Sequence, residues 1–595
     1  MTKFNEDTFN THGPSIFTSY QAAITPVTSD LFELTAQLNQ HQHNVLSLIL
    51  PEVIQDNLSP LEGLSLGEIL LELTKSINSL KSPDDLIIEI KEDHLGNQYL
   101  CVEYLFDLVA NFSSYLAIEI LRFVCNGKKV PLENVRREVE GKLASLMMVP
   151  LRELMQNMLS TARDMRIPFY LVHEAYPVYI YGQGKNAVFY NHGNPQGNSE
   201  IGGKLQKDKA HTNAVLRKLG YPTTQQVIIR NLEHCTAEAR KMGFPVVIKP
   251  VNMGQGKGIT ANIKNVEELK FAFQKASAVS NSYLILEKFV EGDDHRISVT
   301  NGKVNLVSRR RAPYVIGDGV NSITSLIEQE NRRRLGLVDE ECDFYSLVID
   351  DEMLRLLNGQ GFSPDSAPSI NEKVMLGTID NVSTGGTLKA INMEDVHPDN
   401  IKMAGYVCRA FRMTSMGIDF MTPDISKSWR EVGVILELNA YQMVGKEVAA
   451  RVFKHEFSDK NNGRIDSILI VSQNKEFGRH FLEVNKEKYL SLGYSEHDYT
   501  LINGGETTAL EDNIYSRCLS MILDPECDGL MVMMTPDQIA KQGLPLDHFD
   551  KVIVDDQCKD VLWDNQDGKI KILDWLDGFC SEVKIISFDE IVHIP

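Results

Sequence analysis

The sequence has 595 residues, of which 43% are hydrophobic and 24% charged, with a formal net charge of −21. This length predicts three or four domains, and the acidity argues against nucleic-acid binding as the main task, because phosphate contacts need clustered Lys and Arg. Nine scattered cysteines without paired Cys/His spacing predict free thiols in a reducing cytoplasm. No signal peptide and no apolar run of membrane-spanning length is evident, so we expect a cytoplasmic protein without a membrane segment.

Residues 1–165 form the first predicted domain, and they contain no catalytic constellation. The segment 86–105 is typical of two strands around a His-Leu-Gly-Asn turn, and 133–165 has helical periodicity with a break at Pro150. We interpret this domain as a structural or substrate-docking domain.

Residues 166–450 form the second predicted domain, in which helix-like and strand-like segments alternate. The predicted elements are a helix from 208 that ends at Gly220, a helix over 265–276, and a strand that runs into a turn within 283–292. A hairpin over 296–310 with an Asn-Gly type I′ turn and a strand over 433–440 follow. The alternation with glycine-rich turns predicts α/β layers.

A glycine-rich loop lies in "PVVIKPVNMGQGKGITANI", residues 245–263, between two Val- and Ile-rich strands. It is neither a P-loop, because Val251 and Gly258 stand at required positions, nor a dinucleotide fingerprint, because Ile259 replaces the third glycine. Its backbone N–H groups could fold over phosphates, and Lys249 could reach them. A mobile surface hairpin and an edge-strand lysine facing water are the alternatives.

The segment "LILEKFVEGDDHR" has the composition of an adenosine site. Glu287 could bond the amino edge of adenine, Phe289 and Val290 could line the ring, and Asp294 could hold a ribose hydroxyl. A solvated acidic turn is the alternative.

Three hard oxygen ligands occur in "GIDFMTPD" and "GVILELNAY". Glu437 and Asn439 are two residues apart on a predicted strand, so they share a face, and Asp419 precedes them. Such oxygens suit Mg²⁺, which takes one or two carboxylates together with substrate phosphates. A chance polar pair is the alternative.

Several arginines lie in and before "SRRRAPYVIGDG". Arg296, Arg309 and Arg311 could stabilise a phosphoryl group in transfer or clamp a carboxylate, so we take them as candidate catalytic residues. A basic surface turn is the alternative.

The order of these features resembles the ATP-grasp family of carboxylate–amine ligases, and more closely the glutamate-ligase-like domain of cyanophycin synthetases. The segments "YIYGQGKNAVFYNHGNPQGNSEIGGKLQKDKAHTNAVLRKLGYP", "RRRAPYVIGDGVNSITSLIEQENRRR" and "MGIDFMTPDIS" carry the resemblance over roughly residues 175–450. It implies an α/β (α+β) ATP-grasp fold, with ATP and Mg²⁺ as cofactors. The implied roles are phosphate contacts for Lys209 and Lys249, a lid for Gly254, Gly256 and Gly258, adenine and ribose contacts for Glu287 and Asp294, and Mg²⁺ ligation by Asp419, Glu437 and Asn439.

Two features bear on the subtype. The family usually follows the metal-binding Asn with a small residue, Pro and Gly, whereas this sequence has "NAYQMVG". Residues 451–595, with predicted buried strands over 464–473 and 550–556, resemble a truncated Mur-ligase-like domain without its P-loop, since 472–478 lacks the glycines and hydroxyl of that loop.

The resemblance therefore implies the second type of cyanophycin synthetase, a homodimer that joins β-aspartyl-arginine dipeptides to a growing polymer through an acyl phosphate. A ligase for another dipeptide or amino acid, and a non-catalytic nucleotide- or polymer-binding relative, are the alternatives. We expect no nucleic-acid or membrane partner.

Overall fold

The structure is a computed structural model. It describes residues 9–10, 22–27, 34–82, 86–92, 97–126, 130–147, 153–173, 178–191, 193–251, 258–279, 283–336, 347–377, 385–440, 445–458, 460–496, 499–502, 504–507, 513–565 and 568–591. The chain divides into two compact units, one comprising Met1–Phe189 with Asp459–Pro595 and the other Tyr190–Ser458. The sequence-based division at 165 and 450 remains a prediction.

The N-terminal part of the first unit combines a small antiparallel sheet, in the order β1-β2-β4-β3, with helices. The strands to residue 191 are β1 (Phe9–Asn10), β2 (Ala22–Val27), β3 (Ile88–Glu92), β4 (Gln98–Glu103), β5 (Phe169–His173), β6 (Val178–Tyr181) and β7 (Val188–Asn191). The helices are α1 (Gln40–Ile49), α2 (Glu52–Gln55), α3 (Leu66–Asn78), α4 (Asp107–Asn126), α5 (Leu132–Met147) and α6 (Glu153–Asp164).

Helix α4 is long and apolar enough to cross a membrane by length and composition alone, contrary to the expectation that no such run occurs. However, 56% of its most apolar window is buried inside the protein. The core helix of a soluble domain passes the same test, so this single helix is weak evidence for a membrane segment.

The second unit contains the remaining strands and helices up to residue 458. The strands are β8 (Asn194–Pro195), β9 (Gln226–Ile229), β10 (Val246–Pro250), β11 (Thr260–Ile263), β12 (Leu284–Lys288), β13 (Asp293–Thr300), β14 (Lys303–Arg311), β15 (Tyr314–Ile316), β16 (Lys373–Met375), β17 (Thr387–Ile391), β18 (Met416–Thr422) and β19 (Val434–Asn439). The helices are α7 (Glu200–Lys207), α8 (Lys209–Lys218), α9 (Leu232–Met242), α10 (Val266–Val279), α11 (Ile323–Gly336), α12 (Asp351–Gly359), α13 (Pro398–Ala410) and α14 (Lys446–Glu456).

Two antiparallel sheets organise this unit. A four-stranded sheet has the order β11-β10-β12-β9, and a five-stranded sheet has the order β17-β14-β13-β18-β19. The segment before β9 joins them, because Pro222 O accepts from Ile435 N on β19 and Gln225 O accepts from Lys288 N on β12, each at 2.9 Å. One apolar face of the larger sheet packs on α13, with Ile297, Ile418 and Phe420 fully buried.

The C-terminal part of the first unit is built on a seven-stranded sheet in the order β23-β22-β21-β24-β20-β25-β28, whose last five strands are parallel. The strands of this sheet are β20 (Asp466–Val471), β21 (Leu492–Glu496), β22 (Tyr499–Ile502), β23 (Gly505–Thr507), β24 (Gly529–Met534), β25 (Phe549–Asp555) and β28 (Cys580–Ile586), while β26 (Leu562–Asn565) and β27 (Gly568–Lys571) form a separate two-stranded sheet. The helices of this part are α15 (Lys475–Asn485), α16 (Ile514–Ile522), α17 (Pro536–Gln542) and α18 (Ile572–Leu576).

Most local predictions are confirmed. Strands β3 and β4 pair, β20 and β25 are buried, and β13 and β14 form the expected hairpin. Its turn residues Asn301 and Gly302 have φ of 50° and 74°, as a type I′ turn requires. Helices α5 and α6 confirm the helical prediction for 133–165, while the predicted break at Pro150 lies outside the described residues.

Candidate active site

One face of the five-stranded sheet carries a row of charged side chains. Opposite residues in neighbouring strands pair Asp294 with Arg310, Arg296 with Asp419, and Asp419 with Glu437. Because side chains two apart on a strand share a face, these residues project from the side opposite the apolar core.

Asp419 lies at the centre of this row and is buried. Its Oδ1 atom lies 2.8 Å from Arg296 Nε, and its Oδ2 atom lies 3.0 Å from Arg310 Nη2. Asn439 Nδ2 also donates a hydrogen bond to Oδ2 at 3.3 Å. Burial pushes the pKa of Asp419 upward, but the two guanidinium groups outweigh it and hold the pKa below its usual value. Asp419 is therefore an anion at neutral pH.

Arg310 links two carboxylates of the row. Its Nη2 atom lies 2.6 Å from Asp294 Oδ2 and 3.0 Å from Asp419 Oδ2. Burial opposes the charge of Arg310, but both carboxylates outweigh that effect and raise its pKa. Arg310 therefore fixes the position of Asp294, the predicted ribose contact, relative to Asp419, a predicted metal ligand.

Arg296 occupies space left by a glycine. A Cβ on Gly417 would lie 2.2 Å from Arg296 Nη1, so any larger residue at position 417 would displace the guanidinium. That Nη1 atom is buried and has no hydrogen-bond partner among the described residues. Burial lowers the pKa of Arg296 in spite of Asp419. A buried guanidinium nitrogen without an acceptor can receive an anionic ligand atom.

Lys209 comes to the same face from α8. It is the first residue of that helix, after the N-cap Asp208, whose side chain accepts from the backbone N–H groups of Ala210 and His211. Lys209 is buried, and its Nζ lies 3.1 Å from Glu437 Oε1. The structure thus brings together Lys209, Arg296, Asp294, Asp419, Glu437 and Asn439 from the predicted set.

The chemistry of three of these side chains fits a magnesium ion. Asp419 and Glu437 face each other on β18 and β19, and the amide of Asn439 contacts Asp419. In the described part of the chain, no group of three or more His, Cys, Asp or Glu side chains has the spacing of a metal site. This set has only two such side chains, Asp419 and Glu437, because Asn439 contributes an amide. The three side chains nevertheless match the few protein oxygens that Mg²⁺ takes alongside substrate phosphates.

Lys249 and Glu287 form a second buried pair in the four-stranded sheet. Lys249 Nζ lies 2.8 Å from Glu287 Oε2, and both side chains are less than a tenth exposed. They lie diagonally across β10 and β12, where Val247 is the direct partner of Glu287. Lys249 is therefore not an exposed edge-strand lysine. Phe289 and Val290 follow β12 and are half-buried.

The predicted lid is only partly described. Gly254 and Gly256 lie outside the described residues. Gly258 has φ +75°, and a Cβ there would come within 2.6 Å of Val279, so this position requires glycine. The two predicted strands around the loop pair antiparallel as β10 and β11.

The structure places Arg309 and Arg311 away from the row around Asp419. Both side chains bind Asp293 Oδ2, at 3.4 and 3.3 Å, on the opposite face of the sheet from Asp419. The two-residue turn pairs Thr300 with Lys303, and continuing six residues along each strand would place Asp294 opposite Arg309. A β-bulge near Asn305 shifts the register by one residue, so Arg310 faces Asp294 instead.

Two site residues were missed by sequence reasoning. Arg310 stands between two arginines that were chosen, and only the bulge decides which of the three faces the site. Gly417 offered a weak signal, because a glycine inside an apolar strand marks a close approach of other atoms.

The family described as "D-ala D-ala ligase C-terminus" matches residues 214–314. This segment contains Lys249, Glu287, Asp294, Arg296 and Arg310.

Curated relatives cover more of the chain. Cyanophycin synthetase of Crocosphaera subtropica is 27% identical over 90% of this chain and 64% of its own length. Cyanophycin synthetase of Synechocystis sp. is 30% identical over 60% of this chain and 42% of its own length. A glutathione biosynthesis bifunctional protein of Mannheimia succiniciproducens is 27% identical over 38% of this chain and 30% of its own length. The chain thus spans about two fifths to just under two thirds of the length of these cyanophycin synthetases.

Solved structures are similar at a lower level. A bifunctional glutathione synthetase from Pasteurella multocida has a TM-score of 0.39 at 20% identity, covering 59% of this chain and 52% of its own. D-alanine–D-alanine ligase from Bacillus anthracis has a TM-score of 0.25 at 15% identity, covering 41% and 59%.

Proposed function

We propose that this chain is an ATP-grasp ligase of the cyanophycin synthetase family, and that it forms amide bonds as an ATP- and Mg²⁺-dependent carboxylate–amine ligase. The observation that carries the proposal is the buried charged face built around Asp419. It unites carboxylates suited to a cation with guanidinium and ammonium groups suited to phosphate.

The proposed reaction has two steps. A substrate carboxylate oxygen attacks the γ-phosphorus of ATP, giving an acyl phosphate and ADP. A neutral amine then attacks the acyl carbon, phosphate leaves, and the amine loses its proton to solvent. No Ser or Cys nucleophile is needed, and the protein contributes positioning and charge stabilisation.

Named side chains supply that stabilisation. Arg296 Nη1, buried without an acceptor, is suited to an oxygen of the phosphoryl group in transfer. Lys209 and Lys249, which pair with Glu437 and Glu287 in the structure, would contact phosphates once those carboxylates bind other groups. Asp419, Glu437 and Asn439 would hold Mg²⁺, which supplies neutralisation of the phosphate charge. Glu287, Phe289, Val290 and Asp294 would bind adenosine, with Gly254, Gly256 and Gly258 in the covering loop.

We propose β-aspartyl-arginine dipeptides as the substrate and cyanophycin as the product. The C-terminal sheet supports the subtype that lacks a second nucleotide site. Only three residues, 472–474, join β20 to α15, and Ser472 Oγ donates to Asp555 Oδ2 at 2.6 Å. A P-loop needs a longer glycine-rich turn and a hydroxyl available to a metal.

Location and assembly are also proposals. The eight described cysteines are free thiols, which supports a reducing compartment, and we propose the cytoplasm. The proposed assembly is a homodimer, and the proposed partners are the dipeptide and the growing polymer.

The test is incubation of the full chain with ATP, Mg²⁺ and β-aspartyl-arginine, followed by phosphate measurement and mass spectrometry of the product. We expect phosphate release that depends on the dipeptide, together with oligomers spaced by one dipeptide unit. Absence of both with every dipeptide tried would contradict the ligase proposal.

A second candidate substrate follows from the loop after Asn439. The sequence "NAYQMVG" replaces the family's small-residue–Pro–Gly stretch, and residues 441–444 lie outside the described part. Phosphate release with a different dipeptide, and none with β-aspartyl-arginine, would favour a ligase of altered specificity.

A further inference from the structure

Outside the charged face, the second unit carries two arginine–aromatic stacks on its surface. Tyr406 is 59% exposed on α13, and the guanidinium of Arg409 lies 4.7 Å from its ring centroid. The guanidinium of Arg430 lies 4.3 Å from the ring centroid of Trp429. Both arginines are exposed.

Tyr221 connects these stacks to a cleft. Its ring meets Trp429 edge-on with centroids 5.4 Å apart. Burial and Tyr406 raise the pKa of Tyr221, while Arg430 and Arg409 act in the opposite direction. Tyr221 also lines a cleft of about 600 Å³ together with Arg217 and the polar side chains of residues 223, 225 and 226. We call the set Arg217, Tyr221, Tyr406, Arg409, Trp429 and Arg430 the aromatic–arginine patch.

The patch is locally cationic on a chain with net charge −21. Arg430 has one carboxylate neighbour, Asp399, at 3.7 Å, and that carboxylate also accepts a hydrogen bond from Ser428. Within the described ranges, Arg217 and Arg409 form no ion pair. A guanidinium stacked on a ring keeps its N–H edge available for bidentate contact with a carboxylate.

The stacking favours a carboxylate-bearing peptide over a nucleic acid. Arginine side chains already lie over Tyr406 and Trp429, whereas single-stranded nucleic acid needs ring faces on which bases can stack. The strong acidity of the chain also opposes a long polyanion. Tyr, Trp and Arg are the residues that dominate binding energy at protein and peptide interfaces.

The patch lies at the far end of the helix that begins in the proposed active site. Helix α8 starts at Lys209, beside Glu437, and Arg217 is eight residues later, about 12 Å along the axis. Four extended peptide residues span about that distance. We propose that the aromatic–arginine patch is a second binding site for a carboxylate-bearing peptide, and, if the proposed function holds, that it anchors the growing polymer behind its reacting end.

The test uses the full chain without ATP. Calorimetry measures binding of an oligo-aspartate of about ten residues, which is longer than the separation along α8. The variant Arg409→Glu/Arg430→Glu should weaken this binding roughly tenfold or more. The matched control, Arg240→Glu/Lys241→Glu, makes the same charge change on exposed positions of α9 and should leave binding unchanged.

A kinetic measurement with the same variants separates the patch from the active site. For a long acceptor peptide, KM should rise by a similar factor in Arg409→Glu/Arg430→Glu with kcat unchanged, while the dipeptide alone should show neither change. Unaltered oligo-aspartate affinity in a folded Arg409→Glu/Arg430→Glu variant would overturn the proposal that the patch binds peptides. Equal, patch-dependent affinity for duplex DNA would overturn the peptide assignment. If patch-dependent binding persists but no dipeptide is ligated, the ligase function fails and the peptide site stands.

Discussion

Arg296 and Gly417 fit together as a side chain and the space left for it. The guanidinium crosses from β13 to β18 and places Nη1 2.2 Å from where a Cβ of residue 417 would be. Its Nε holds Asp419 at 2.8 Å, two residues further along β18. One glycine therefore sets the position of a buried cation beside the central carboxylate.

Replacing Gly417 with Ala should displace Arg296 and lower kcat about a hundredfold, since a shift of about 1 Å at a reacting group has that effect. Overpacking should cost about 1–3 kcal/mol of unfolding free energy. Steady-state kinetics and denaturant unfolding measure the two effects. Gly141→Ala on α5, where a Cβ meets nothing within 4 Å, is the control and should keep full activity.

The three consecutive arginines should differ sharply. Arg310→Met removes the cation between Asp294 and Asp419, and breaking such a buried pair costs about 3–5 kcal/mol. We expect ATP binding to be lost in calorimetry. Arg309→Met and Arg311→Met should retain ATP binding and at least about a third of the activity, because both side chains bind Asp293 on the other face and are partly exposed. Equal losses in all three variants would contradict the bulge-shifted register.

The elements of the second unit could be predicted because their signals are local. Apolar periodicity marks β12 and β19, the Asn301–Gly302 turn marks a hairpin, and Asn265 caps α10 by accepting from Glu268 N at 2.9 Å. The grouping of Asp419 with Glu437 could also be predicted, because polar side chains on apolar strands are costly to bury without partners.

Register could not be predicted in the same way, since it depends on bulges. One bulge near Asn305 places Arg310 rather than Arg309 opposite Asp294. A second bulge lies between β18 and β19, where Asp419 pairs with Glu437 but the next residue, Phe420, pairs with Ile435, so that one residue of β19 is skipped. A one-residue slip sends every following side chain to the other face. No residue type in either segment indicates that a bulge with an extra residue occurs there.

Glu437→Gln tests the proposed metal ligand with little change of shape. The substitution removes the negative charge that would face both Mg²⁺ and Lys209. We expect the Mg²⁺ concentration for half-maximal activity, and the Mg²⁺ dependence of ATP binding in calorimetry, to rise about tenfold or more. Glu431→Gln, the same change at an exposed position before β19, should alter neither. Identical magnesium dependence in both variants would remove Glu437 from the site.

The Lys249–Glu287 pair allows structure and function to be separated. Glu287→Gln alone leaves Lys249 buried without a counter-charge and should cost about 3–5 kcal/mol of unfolding free energy. The double variant Lys249→Met/Glu287→Leu replaces the pair with apolar side chains and should be about as stable as the wild type. Calorimetry should nevertheless detect no ATP binding in this stable double variant. Wild-type ATP affinity there would show that the pair only supports the fold.

Acid should unfold the protein partly through Asp419. Burial raises the pKa of this carboxyl, but Arg296 and Arg310 lower it further, so the folded value lies below the unfolded value of about 3.9. A lowered folded pKa contributes stability that is complete above the unfolded pKa and is lost as the pH falls through the folded value. Denaturant unfolding at about pH 6 and about pH 3 should therefore give a smaller drop in Asp419→Asn than in the wild type. Asp365→Asn, at an exposed position, should keep the wild-type drop, and an equal drop in all three proteins would mean that the two arginines do not hold Asp419 ionised.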